Sequence, residues 1–103
     1  MPKPPLKTMK QLEDECDWSD EFNSYRKKKM IMGRLKYGPW KKNRVNVDAL
    51  GSMMLRLEDY KKTGNKEMLE DIANFAMMEW MLPMNPLAHR RGDVQVAPPL
   101  KKF

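Results

Sequence analysis

The sequence predicts an all-α fold: a small bundle of three helices, the second and third paired as an antiparallel hairpin. Three observations carry this. Apolar residues recur at the 3.6-residue period through the middle of the chain, glycine, proline and capping residues divide that middle into three segments, and nothing in it alternates as a strand would. With 103 residues, there is room for one domain. It is read as residues 19–83, flanked by a Pro-rich, acidic arm over 1–18 and a Pro-rich, basic arm over 84–103.

The first helix is expected from Asp20 to Tyr37. Ser19 is its N-cap, Asp20 and Glu21 suit the positive end of the helix dipole, and Gly38-Pro39 stops it. The second is the clearest. Asn46 is read as its cap, and Val47, Leu50, Met54 and Leu57 form an apolar stripe that Met53 and Tyr60 widen. It ends at Thr63-Gly64, with Gly64 in the left-handed position. Asn65 then caps a third helix, Lys66 to Leu82, closed by Pro83, so the turn between the last two helices is short and they must be antiparallel.

Three such helices make a thin core. The third is apolar on more than one side (Leu69, Ile72, Ala73, Phe75, Ala76, Met77, Met78, Trp80 and Met81), and a helix apolar nearly all round must be covered nearly all round. A homodimer or higher oligomer is therefore expected, and two hairpins forming a four-helix bundle would satisfy it. The eleven methionines read as adaptable core rather than as a binding surface.

Charge is uneven. Residues 26–45 carry nine basic side chains and no acid, while 1–25 and 46–83 are net acidic. The basic block is either a solvated helix face neutralised by its acidic neighbours or a surface for phosphates, nucleic acid or an acidic protein. Lys27, Lys28, Lys29, Lys41, Lys42 and Arg44 are its candidate partner-binding residues. No apolar run approaches the ~20 residues of a bilayer helix, no apolar stretch follows MPKPPLKTMK, and Cys16 stands alone. The expected location is reducing cytoplasm, without membrane contact.

Several polar residues do not belong where they fall. Glu67, Asp71 and Asn74 lie on one line of the third helix, with Glu70 beside them, and Glu79 interrupts an apolar run further on. Asp71 and Asn74 either form an inter-helix hydrogen-bond network, with Arg56 or Lys61 as partner, or hold a ligand. Carboxylates at i and i+4, here Glu67 and Asp71, suit Mg²⁺, which in turn holds phosphate oxygens. Arg34, Lys36, Tyr37 and Trp40 make an aromatic-basic loop suited to a base and its phosphates. One histidine, His89, excludes a Ser-His-Asp triad, and acids beside Cys16 discourage a thiolate.

The run Gly33-Arg34-Leu35-Lys36-Tyr37-Gly38-Pro39-Trp40, followed by a helix, a turn and Leu69-Glu70-Asp71-Ile72-Ala73-Asn74-Phe75-Ala76, resembles small phage and prophage proteins. These are related to the all-α, MazG-like nucleoside triphosphate pyrophosphohydrolases, and the resemblance spans roughly residues 30–90. It implies an oligomeric helical bundle in the host cytoplasm. Acids would bind Mg²⁺, the metal would hold a nucleoside triphosphate, and water would attack between the α and β phosphates. Asp71 and Asn74 match the motif's Asp and Asn. The Glu three residues before that Asp is Met68 here, and the upstream E-x-x-E is missing from the second helix, which has only Glu58 and Asp59 near its end. The expected function is thus a nucleotide-handling protein in which hydrolysis depends on surviving carboxylates: Glu67 and Asp71 for the metal, and Asn74, Glu70, Lys36, Tyr37, Trp40 and Arg34 for the ligand. The alternative is a non-catalytic phage protein that inhibits a host defence complex through its basic surface. A direct nucleic-acid binder is the weaker third reading, since acids nearly match bases outside the basic block.

Overall fold

The computed structural model describes residues 5–91 of the chain. The first four residues, the start of the expected N-terminal arm, and those from 92 onward, most of the expected C-terminal arm, lie outside the described residues. Among the described residues there are four α-helices and no strand: α1 (Met9–Glu15), α2 (Asp20–Tyr37), α3 (Ala49–Thr63) and α4 (Glu67–Met81), with a single 3-10 turn at Arg44–Asn46. No helix among them is long and apolar enough to cross a membrane.

The all-α class and the three expected helices stand; the count of three does not. The additional helix, α1, forms inside the expected N-terminal arm because Thr8 and Gln11 build a reciprocal capping box. Gln11 N donates to Thr8 Oγ1 at 3.1 Å, and Thr8 N donates to Gln11 Oε1 at 2.8 Å. The prolines before it outweighed this signal in the sequence reading. No residue of α1 is buried, and the chain turns away from it through Asp17 at φ 55°, a conformation that Asp tolerates better than most residues.

α2 has the boundaries its punctuation predicts. Phe22 N donates to Ser19 Oγ at 3.0 Å, and the helix stops at Gly38, whose φ 79°, ψ −168° is a region open essentially to glycine alone. α3 begins later than expected. Asn46 closes the 3-10 turn, and the cap is Asp48, whose Oδ1 accepts from Gly51 N at 3.0 Å. The α3–α4 turn follows expectation. Gly64 is left-handed (φ 69°, ψ 16°), its N–H donates to Tyr60 O at 2.8 Å, and Asn65 Oδ1 accepts from Glu67 N at 3.1 Å.

α3 and α4 pack along their length as the hairpin, and α2 lies across α4. The join between α2 and α4 is polar. Asn74, buried at 5% exposure, donates through Nδ2 to Arg26 O (2.9 Å) and accepts at Oδ1 from Arg26 Nε (3.1 Å). At the other end of the hairpin Arg44 is equally buried. It donates to Leu82 O (2.7 Å), Val47 O (2.7 Å) and Glu79 Oε1 (2.6 Å), while Glu79 Oε2 accepts from Met84 N and Asn85 N. These two clusters, with Asp71 of α4 bound to Lys29 of α2 and Arg56 of α3, tie the elements together more than a hydrophobic centre does.

Among the described residues only one hydrophobic residue, Ala49, is buried. The stripe expected as the core of α3 faces out: Leu50, Met54 and Leu57 are all about half exposed or more, and the turned-in positions are Ala49, Met53, Arg56 and Tyr60. Methionine fills part of the interior (Met53, Met77 and Met78 are half-buried), yet Met9, Met32, Met54 and Met84 are exposed. The Cα radius of gyration, 18.2 Å, exceeds the ~13 Å of a compact chain of about this length.

Candidate ligand groove

The second half of α2, the 38–48 connection and one side of the hairpin enclose a groove of about 440 Å³, within the size range of small-molecule sites. Four segments distant in sequence meet there. α2 contributes Lys29, Arg34 and Tyr37, the connection contributes Trp40, α3 contributes Ser52 and Arg56, and α4 contributes Asp71, Asn74 and Phe75. Gly38 ends α2 between Tyr37 and Trp40 in a conformation open essentially to glycine, and both aromatic residues line the groove.

Asp71 is the electrostatic centre. Its Oδ1 accepts from Lys29 Nζ at 3.1 Å and its Oδ2 from Arg56 Nε at 3.2 Å, so one carboxylate holds two cations. Arg56 is further fixed by donation to Ser52 O (3.3 Å) and by stacking over the Phe75 ring, 4.7 Å from guanidinium carbon to centroid. Lys29 also reaches Glu67, 3.8 Å from Oε1 and 3.4 Å from its carbonyl oxygen. The groove lining sets Lys29, Arg34 and Arg56 against Asp48 and Asp71, a single net positive charge, and Glu67 reaches Lys29 from beside it.

Glu67 and Asp71 do not fit Mg²⁺ in this arrangement. Lys29 Nζ stands between the two carboxylates where a cation would, and Arg56 takes the remaining oxygen of Asp71. Mg²⁺ demands near-octahedral oxygen ligation and would have to displace both side chains. Among the described residues no group of three or more His, Cys, Asp or Glu is gathered to hold a metal ion.

Six of the residues singled out in the sequence therefore line one groove: Lys29, Arg34, Tyr37, Trp40, Asp71 and Asn74. The others do not. Glu67 and Glu70 line a separate groove beside Phe22 and Tyr25, and Lys36, Lys27, Lys41 and Lys42 are exposed elsewhere. Lys28 is also exposed, with its ammonium 5.3 Å from the centre of the Tyr25 ring. Arg44, expected on a partner-binding surface, is buried with donors engaged by Glu79 and two backbone carbonyls, a position that its place in a run of surface cations concealed.

The residues not foreseen as groove-lining are Ser52, Phe75 and, as a ligand-facing cation, Arg56. For Arg56 a signal existed. It and Asp71 stand at nearly equal distances on either side of the Gly64 turn, so an antiparallel hairpin sets them opposite each other.

No protein-family model matches the chain, and no curated protein or solved structure is significantly similar to it. The MazG-like resemblance therefore rests on the quoted residues alone.

Proposed function

We propose that this chain is a nucleotide-binding protein, one that takes a nucleotide or related phosphorylated ligand into the groove without a metal ion. One observation carries the proposal: Asp71 presents Lys29 and Arg56 side by side in a groove walled by Tyr37, Trp40 and Phe75. Paired cations in fixed positions suit phosphate oxygens, and aromatic rings next to them suit a base. In a MazG-like hydrolase the metal ion supplies the positive charge. Here the side chains of α2 and α3 would supply it, so binding without hydrolysis is the favoured form of the relation to that family. The protein would then sequester its ligand, a role that fits a phage protein acting in the host cytoplasm.

The test is isothermal titration of the purified chain with nucleoside triphosphates, deoxynucleoside triphosphates and cyclic nucleotides, in EDTA and in Mg²⁺. Each mixture is then denatured by heat and resolved by chromatography. The proposal expects at least one nucleotide to bind in EDTA and return intact. Binding to none of them, or conversion to monophosphate and pyrophosphate in Mg²⁺, would overturn it. A second reading, a non-catalytic inhibitor of a host protein complex, is favoured by the exposure of Lys27, Lys28, Lys41 and Lys42 away from the groove. It gains if no nucleotide binds.

A further inference from the structure

α4 is apolar on three sides, and the fold covers two of them. α2 lies against the side of Asn74 and Met77, α3 against the side of Phe75 and Asp71. The third side is the line Leu69, Ala73, Ala76 and Trp80, spaced i, i+4, i+7 and i+11. Trp80 is 69% exposed, and Leu50 and Met53 of α3 join Ala76 and Trp80 in lining an open groove of about 520 Å³. We propose that this face is covered by a second copy of the chain, in an antiparallel two-fold contact between the α4 helices centred between Ala73 and Ala76.

The spacing of the line is self-complementary. The midpoint between Ala73 and Ala76 lies five and a half residues from Leu69 and five and a half from Trp80, about 8 Å along the helix in each direction. An antiparallel copy centred there sets alanine against alanine, where two backbones can approach closely. It also sets each Trp80 against the partner's Leu69, so that both large residues find a matching position twice, as a two-fold contact requires.

The surfaces at the two ends match in shape and charge. Leu69 shares a second open groove, of about 470 Å³, with half-exposed Phe22 and Tyr25, and this groove is the receptor for the incoming indole. Its rim carries Glu21, Glu67 and Glu70 against the single cation Lys66. Around Trp80 the lining carries Arg90 and His89 together with Glu79, whose charge is taken by the buried Arg44. The antiparallel register therefore brings a basic rim onto an acidic one at both ends, and opposes the dipoles of the two helices.

The area is of the right order. A standard interface takes about 800 Å² from each partner, and one aromatic residue can bury 150–250 Å². Trp80, Tyr25, Phe22 and Leu50, which line the two grooves, are between 37% and 69% exposed. A chain with one buried hydrophobic residue among those described has the most to gain from burying them.

Sedimentation equilibrium of the full chain at micromolar concentration tests the contact, with circular dichroism as the check on folding. The wild type is expected to be a dimer. Trp80→Asp is expected to be monomeric with its helix content retained, because the residue is mostly solvated within one copy. Register is tested in a Cys16→Ser background that keeps Leu69 and Trp80: Ala73→Cys with Ala76→Cys, which the stated register sets opposite each other, is expected to form a covalent dimer on mild oxidation. A monomeric wild type, a dimer that survives Trp80→Asp, or a double-cysteine variant that does not crosslink would each overturn the proposal. A monomeric wild type would leave the face to a different protein.

Discussion

Replacing Glu79 with alanine should unfold much of what α4 organises. The side chain is 17% exposed and its partner Arg44 is 5% exposed, with 2.6 Å between Glu79 Oε1 and Arg44 Nη2. Removing one member of a buried pair costs about 3–5 kcal/mol, because the remaining charge stays desolvated. Three features set the value here. Arg44 keeps two carbonyl acceptors, which moderates the loss, and partial solvent access to Glu79 moderates it further. Against this, Met84 N and Asn85 N lose their acceptor, so the chain after α4 loosens as well. The expected cost is about 3 kcal/mol, toward the lower end of that range. In a domain this small it corresponds to a fall of roughly 10–20 °C in melting temperature.

Thermal and urea unfolding at one fixed protein concentration would measure the loss, and Glu79→Gln, which keeps the shape and one acceptor, should lose about half as much. A double-mutant cycle with Arg44→Ala should give a coupling of at least ~1.5 kcal/mol, beyond the ~0–1 kcal/mol of a solvated surface pair. A loss below ~1 kcal/mol for Glu79→Ala would refute the reasoning. Arg44 would then be a solvated side chain of the kind its sequence context suggests, free to face a partner.

Two further outcomes follow from the polar joins and the groove. Asn74→Ala removes two of the hydrogen bonds between α2 and α4, leaving those of Lys29 to Asp71 and Glu67, and strips Arg26 of two partners in a half-buried place. It should cost about 2–3 kcal/mol in urea unfolding and also weaken ligand binding, since Lys29 and Arg34 ride on α2. Trp40 is half-buried, so Trp40→Ala should cost about 2–3 kcal/mol of stability. In a sample shown to be folded by circular dichroism it should also reduce nucleotide affinity by about tenfold or more in titration, the usual worth of one stacked base. Unchanged affinity would remove Trp40 from the site.

Much of the helical layout is legible in the sequence because it is written in local chemistry. Ser19, Gly38, Gly64 and Asn65 act within four residues of themselves, and they end or begin helices where their conformational preferences require. Thr8 and Gln11 act just as locally, and the capping box they form starts α1 although the neighbouring prolines favour an extended arm. Burial was harder. A 3.6-residue stripe shows that one side of α3 differs from the other, but it does not say which elements lie against it. Leu50, Met54 and Leu57 face out of the single chain, while Arg56, a charged residue, faces in. The same limit applies to the site. Gly33, Arg34, Tyr37, Gly38 and Trp40 of the GRLKYGPW run line one groove with Asp71 and Asn74. The Arg56–Asp71 pair is legible from their places on either side of the Gly64 turn, whereas Lys29 on the other oxygen depends on how α2 lies against α4, which no spacing along the chain records.

The central claim is that cations held by Asp71, not a metal ion, receive the ligand's phosphates. The affinity of Asp71→Asn for a nucleotide that binds the wild type, measured by titration in EDTA, tests it most directly. Asparagine retains an oxygen for one of the two cations and removes one negative charge from the groove, so binding should be unchanged or tighter by up to about tenfold. Folding is checked in the same sample by circular dichroism. A folded variant whose affinity falls tenfold or more would contradict the account, placing Asp71 itself, or a metal bound to it, against the ligand.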